Sequence, residues 1–181
     1  MNSLFARFDL EIFDVERITT HNGSIRVYTA RRGKEIIHPR VSELLEREKE
    51  YGVQNIELLH SFATRVNEHR HKLEQMLLEF KNAGYRTVGI GAPAKGNTLL
   101  NSCHLGPDSI KYLVEKSTLK IGLYTPGQHI PVVSEEKLFE DQPEYALILS
   151  WNITEELIEK LRSRGYRGKF IVPFPDIKIF E

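Results

Sequence analysis

The sequence predicts an α/β fold: a Rossmann-like parallel sheet with flanking helices, preceded by an antiparallel β-hairpin and long helices. Three observations carry this. After Gly84, short apolar runs alternate with helical patterns, and short buried strands separated by helices imply a parallel sheet with crossovers. A glycine-rich strand-to-helix turn stands at Gly89-Ile-Gly91-Ala-Pro-Ala94-Lys95-Gly96. Ahead of it, period-two β-formers flank Asn22-Gly23, a strong short-range hairpin signal.

Taken in chain order, Ser3 to Phe8 is a helix-like fragment, too short to be stable alone. Phe13 to Thr20 and Ser24 to Thr29 form the hairpin. From Val41 the period turns helical, with Val41, Leu44, Leu45 and Glu48 before Gly52. Leu59, Phe62, Val66, Leu73, Met76, Leu77 and Phe80 follow it, which predicts two helices or one broken near Gly52. Asn82 and Gly84 end the second, because both tolerate the left-handed conformation of a helix C-cap. Strands are then expected at Arg86 to Ile90, Ile110 to Val114, Tyr145 to Leu149 and Lys169 to Val172. Gly91 to Gly96 reads as a tight loop and Asn97 to Cys103 as a helix. A further helix at Thr154 to Arg164 has Thr154 as its N-cap, with Glu155 and Glu156 placed favourably for the helix dipole.

Composition narrows the function classes. The 181 residues suit one main domain, and 25 basic against 25 acidic residues leave no net charge, so no nucleic-acid partner is expected. No apolar run approaches the roughly 20 residues that span a bilayer. Neither a membrane partner nor a secretion signal is expected. Cys103 is the one cysteine, which excludes an internal disulfide and a cysteine-based zinc cluster. The expected compartment is the cytoplasm. His69 and His71, two apart on a helix, diverge by about 200° and cannot share a metal; both are expected on the solvated surface, and no metal is expected.

The turn at 89–96 carries the most chemistry. It fits the Gly-x-Gly-x-x-Ala form of the dinucleotide fingerprint, after a strand and opening a helix. The small residues Gly91, Ala92, Pro93, Ala94 and Gly96 let backbone approach a pyrophosphate, and N–H groups at the start of the helix, near Asn97, point at the anion. Lys95 adds a positive charge at that mouth. Glu115 ends the next strand about 20 residues on, where an acid accepts hydrogen bonds from ribose hydroxyls. The alternative is a plain strand-to-helix turn with Glu115 as a solvated strand end. In the loop Tyr124-Thr-Pro126-Gly127-Gln-His129-Ile-Pro131, His129 offers a hydrogen bond or a proton carrier. Trp151 offers a flat face and Asn152 both a donor and an acceptor. Structural alternatives stand beside these readings, with His129 as a satisfied loop histidine and Trp151 as filler at the core edge.

Three segments coincide with a known pattern: Gly-Ala-Pro-Ala-Lys-Gly-Asn-Thr-Leu-Leu-Asn101 from 91, Pro-Gly-Gln-His-Ile-Pro at 126–131, and Gly-Lys-Phe-Ile-Val-Pro at 168–173. Asp14-Val-Glu-Arg, Gly23-Ser-Ile-Arg-Val-Tyr28 and Leu149-Ser-Trp-Asn152 extend it over nearly the whole chain. The chain resembles the C-terminal domain of S-adenosylmethionine-dependent sugar C-methyltransferases, which methylate carbon atoms of nucleotide-linked deoxyketosugars. Three local departures are His104 where a glycine is common, Gln128 where threonine is, and Glu115-Lys-Ser-Thr118 where family members often read Asp-x-Asn-Pro.

The resemblance implies a substrate-binding domain gripping a nucleotide-diphosphate sugar, with Gly91 to Asn97, Asn101, Glu115, Pro126, Gly127, His129, Trp151 and Asn152 as its binding residues. It implies S-adenosylmethionine as cofactor of the full-length family, but no cofactor bound by this chain. An N-terminal zinc-binding cysteine set, an acidic-strand Gly-rich cofactor loop and the Tyr-x-Glu-His segment that precedes the family's hairpin are not found here. Residues 1–33 are then expected to be a remnant hairpin of a methyltransferase domain, and 34–181 the substrate-binding domain with its leading helices. Such a chain, a fragment, a truncated product or half of a split enzyme, is expected to bind nucleotide sugar without methylating it. A separate methyltransferase domain or self-association completes it. Two rival readings are a small dinucleotide-binding oxidoreductase-like domain and a scaffold whose long helices bind a partner.

Overall fold

The computed structural model describes residues 1–20 and 23–181, so the turn expected at Asn22-Gly23 lies partly outside the described residues. Two compact units make up the chain, Met1–Ala63 and Thr64–Glu181.

The first unit opens with α1 (Asn2–Ala6) and a hairpin of β1 (Leu10–Ile18) and β2 (Ser24–Arg31). The strands pair antiparallel with Val15 opposite Val27, and the register shifts between Ile12 and Asp14. The extra residue, Phe13, bulges out of the ladder, and its carbonyl accepts from the His38 amide at 2.7 Å. His38 then caps α2 (Pro39–Tyr51) by accepting from the Arg40 amide, with Pro39 in the first turn, and Gly52 ends the helix at φ +80°. The hairpin carries the apolar residues Phe13, Val15, Ile25 and Val27, of which Val15 is buried, as is Val41 of α2. Helix α2 lays its apolar stripe on β1, and only Ile25 of the four stays exposed.

The second unit holds the sheet. Helix α3 (Ile56–Asn82), whose later turns belong to this unit, buries Leu73 and Leu77 and stops before Gly84 at φ +82°. There follow β3 (Thr87–Ile90), α4 (Ala94–Ser102), β4 (Leu113–Glu115), β5 (Val132–Ser134), α5 (Glu136–Asp141), β6 (Tyr145–Ile148), α6 (Thr154–Ser163), β7 (Lys169–Val172) and β8 (Lys178–Phe180). The strand order is β5-β4-β3-β6-β7-β8, with all neighbours parallel except the β7–β8 pair. Alternate strand residues enter two cores, as a period of two requires. Leu113, Leu147 and Ile171 pack with α3 and α4 residues on one face. Val114, Ile148 and Phe170 pack with Leu138 of α5 and Leu161 of α6 on the other. The α/β class and the parallel sheet stand as expected.

Several boundaries differ from the expectation. Helix α4 begins at Ala94, three residues before Asn97, because Pro93 takes the N-cap position and its fixed φ suits a helix entry. Lys95 and Gly96 are therefore in the first turn and not in the loop. The second sheet strand starts at Leu113, not Ile110. Thr154 is the first helical residue, not the N-cap, and its hydroxyl donates to the Trp151 carbonyl at 2.9 Å. Strands β5 and β8 have three residues each and α5 six, too few to show a period.

Candidate functional site

Strand order reverses between β3 and β6, and ligands of open α/β sheets bind beyond the strand ends at such a switch point. The chain there is fixed by backbone hydrogen bonds, Gly91 N–H to the Val114 carbonyl at 2.8 Å and Leu149 N–H to the Ile90 carbonyl at 3.0 Å. Gly91 turns the chain at φ +82°, and a Cβ there would stand 2.6 Å from the Ser150 hydroxyl oxygen. Both facts favour glycine. Gly96 packs the first turn of α4 on the end of β6, where an added Cβ would lie 2.7 Å from that of Leu149. Pro93 brings no side-chain cap, so the N–H groups of the first turn keep their capacity for an anion.

Glu115 and Lys120 hold the loop between β3 and α4. One Glu115 oxygen, Oε2, accepts from the Ala92 amide at 3.0 Å and from Lys120 Nζ at 3.4 Å. The other, Oε1, accepts from the Lys116 and Ser117 amides at 2.8 and 3.3 Å. Lys120 Nζ also donates to the Ala92 carbonyl at 3.0 Å. Burial pushes the Glu115 pKa up, but the three amides and the Lys120 charge outweigh it and hold the pKa below the ordinary value. The carboxylate that the sequence assigns to a ribose thus already takes four protein donors. Lys120 carries no signal in the fingerprint, so sequence reasoning missed it; its place follows from the turn after β4.

A cleft of about 560 Å³ opens beside this loop. Ala92, Pro93 and Asn97 form one wall and Lys120, Tyr124 and Pro126 the other. Asn101 joins the walls, its amide donating to the Asn97 carbonyl at 2.9 Å and to the Pro126 carbonyl at 3.0 Å. The loop after Tyr124 is braced by Thr125, whose buried hydroxyl accepts from the Ile130 amide at 3.0 Å. His129 is exposed, with φ +55°. Glu115, Pro126 and Gly127 therefore lie on the same rim as Gly91 to Asn97, while His129 does not line the cleft.

Trp151 and Asn152 follow β6 in a single 3₁₀ turn, on the other side of the switch point. Trp151 is half-buried and Asn152 exposed. The Lys95 ammonium stands 5.8 Å from the centre of the Trp151 ring, and Phe174 packs on Trp151 at 4.8 Å. Lys95 thus belongs to the β6 side of the helix mouth, while Lys120 serves the β4 side. His69, expected on the solvated surface, is instead half-buried, and its Nε2 donates to the Pro173 carbonyl at 2.6 Å. His71 is exposed as expected.

Among the described residues no group of three or more His, Cys, Asp or Glu side chains could hold a metal. No helix among them is long and apolar enough to cross a membrane. Cys103 is buried, and that burial raises its thiol pKa, which keeps it from acting as a thiolate nucleophile.

The family model for the C-methyltransferase C-terminal domain matches residues 19–175. The C-methyltransferase NovU of Streptomyces niveus is similar to the chain, with 32% identity in an alignment 181 positions long that covers 99% of this chain and 43% of the relative. The chain spans less than half the length of that relative.

Proposed function

As the chain belongs to the C-methyltransferase family and corresponds to its C-terminal domain, we propose that it is the part of such an enzyme that binds a nucleotide-diphosphate sugar. The observation that carries this is the uncapped first turn of α4 at the β3–β6 switch point, flanked by Lys95 and Lys120 and opening on the cleft. The diphosphate meets the amides of the first turn, where the helix dipole and Lys95 favour its charge. The remainder of the ligand lies along Tyr124 and Pro126 on one side or Trp151 on the other, on flat apolar surfaces with Asn97 and Asn152 as polar contacts. Glu115 and Lys120 fix the loop so that the amides stay aimed at the anion.

On this reading the chain binds no S-adenosylmethionine and transfers no methyl group alone. The methyl donor is supplied by a separate methyltransferase domain that meets the hairpin, and the chain acts in the reducing cytoplasm. A dinucleotide-binding oxidoreductase is disfavoured, because the acid that would hold a ribose is occupied by Ala92, Lys116, Ser117 and Lys120. Amide chemical shifts followed while thymidine diphosphate is added test the reading. Changes confined to Gly91 to Asn97, Lys120 and the 124–129 and 151–152 segments support it, and changes elsewhere or none oppose it.

A further inference from the structure

His69 plays no part in the site as described, yet it is the far end of a column of side chains that reaches the helix mouth. Its ring stacks on Phe174 with centroids 4.7 Å apart and planes within 4°. Phe174 meets Trp151 at 4.8 Å and 60°, and the Lys95 ammonium stands 5.8 Å from the Trp151 ring centre. Four side chains from α3, the segment after β7, the turn after β6 and the first turn of α4 are thus layered in sequence. Two of the layers carry a second anchor. The His69 ring is held by the Pro173 carbonyl at 2.6 Å, and the Trp151 backbone by the Thr154 hydroxyl at 2.9 Å. Lys95 is exposed on a stem of four flexible carbons, and the indole face narrows the range of its charge.

We propose that His69 is a positioning residue for anion binding, setting the place of Lys95 through Phe174 and Trp151. The proposal rests on the nucleotide-binding reading above and adds to it a specific route from α3 to the cation. Physically, a lysine held over a ring has less freedom to lose when the anion arrives, so the His69 and Phe174 layers, which keep that ring in place, raise affinity without themselves touching the ligand. Removing the last layer lets Phe174 tilt, moves the indole, and returns that freedom to Lys95.

The chain has one tryptophan, so its fluorescence reports on the third layer alone. The test measures thymidine diphosphate affinity and Trp151 emission in the full chain for wild type, His69→Ala, Lys95→Met and the double variant. The expected result is a changed emission spectrum and an affinity about three- to tenfold weaker for His69→Ala. In the Lys95→Met background the same change has almost no further effect, because interacting residues are non-additive. His69→Phe, which keeps a flat ring on Phe174, restores affinity to within about twofold and separates lost positioning from lost fold. Unchanged affinity in His69→Ala, or an equal loss in both backgrounds, would overturn the proposal. A wild-type chain that does not bind thymidine diphosphate would overturn the site reading, while the emission of His69→Ala would still decide whether His69 holds Trp151.

Discussion

The Ala92 amide donates to Oε2 of Glu115 at 3.0 Å, across 23 positions of sequence. This bond ties the end of β4 to the loop after β3, and Lys120 closes the arrangement by reaching both residues. Glu115→Gln keeps the shape but loses the charge and turns an N–H donor toward other donors. A loss of about 1–3 kcal/mol in stability is expected, the range for unsatisfied or charge-assisted hydrogen bonds, measured by urea unfolding at neutral pH.

The same carboxylate gives a pH dependence with a definite sign. Its folded pKa lies below the ordinary 4.5, so its contribution is fully present above that value and is lost as pH falls through the folded one. Glu144 behaves likewise. The Arg86 guanidinium and amide hold its pKa down to about 2, so part of its contribution survives to lower pH. Melting temperatures should fall more gently below pH 4.5 in Glu115→Gln than in wild type. Parallel curves would show that Glu115 does not contribute to the acid sensitivity of the fold.

Lys95→Met keeps the stem and removes the charge. Nucleoside diphosphate affinity should fall by roughly 1.5–3 kcal/mol if the contact is a charge-assisted hydrogen bond, with unfolding unchanged. An unaltered dissociation constant would assign Lys95 to solvent.

His104 follows the last residues of α4 with φ +49°, and the next amide, that of Leu105, closes back on the Leu100 carbonyl at 2.9 Å. This is the left-handed helix ending that favours glycine, the residue that resembling sequences often carry there. His104→Gly should raise stability by about 0.5–1 kcal/mol, the side chain's conformational penalty less the entropy of a glycine in the unfolded chain. Gly96→Val should do the reverse by about 1–3 kcal/mol through overpacking against Leu149. Denaturant midpoints decide both.

Much of this was legible in the residues. Period and punctuation located the hairpin, the break at Gly52 and four of the six sheet strands, because those elements are long enough or apolar enough to show a pattern. Strands β5 and β8 are completed by their neighbours in the sheet and not by their own residues. The glycine-rich turn announced the switch point, but the start of α4 moved because Pro93, Lys95 and Gly96 read locally as loop. Spacing singles out Glu115, while its four donors, three of them backbone amides, leave no trace in composition. For a related reason Lys120 carries no signal in the sequence and His69 reads there as a solvated helix residue. Each acts through a carbonyl or ring contributed by a distant segment, Ala92 in one case and Pro173 with Phe174 in the other.

We propose that this chain grips the nucleotide part of a sugar substrate and leaves the methyl donor to another domain. Calorimetric titration of the full chain with a thymidine diphosphate sugar, and separately with S-adenosylmethionine, separates the two roles. The expected result is one-to-one binding of the nucleotide sugar with a dissociation constant on the order of micromolar, and no heat from S-adenosylmethionine. Stoichiometric binding of S-adenosylmethionine, with none of the nucleotide sugar, would contradict it.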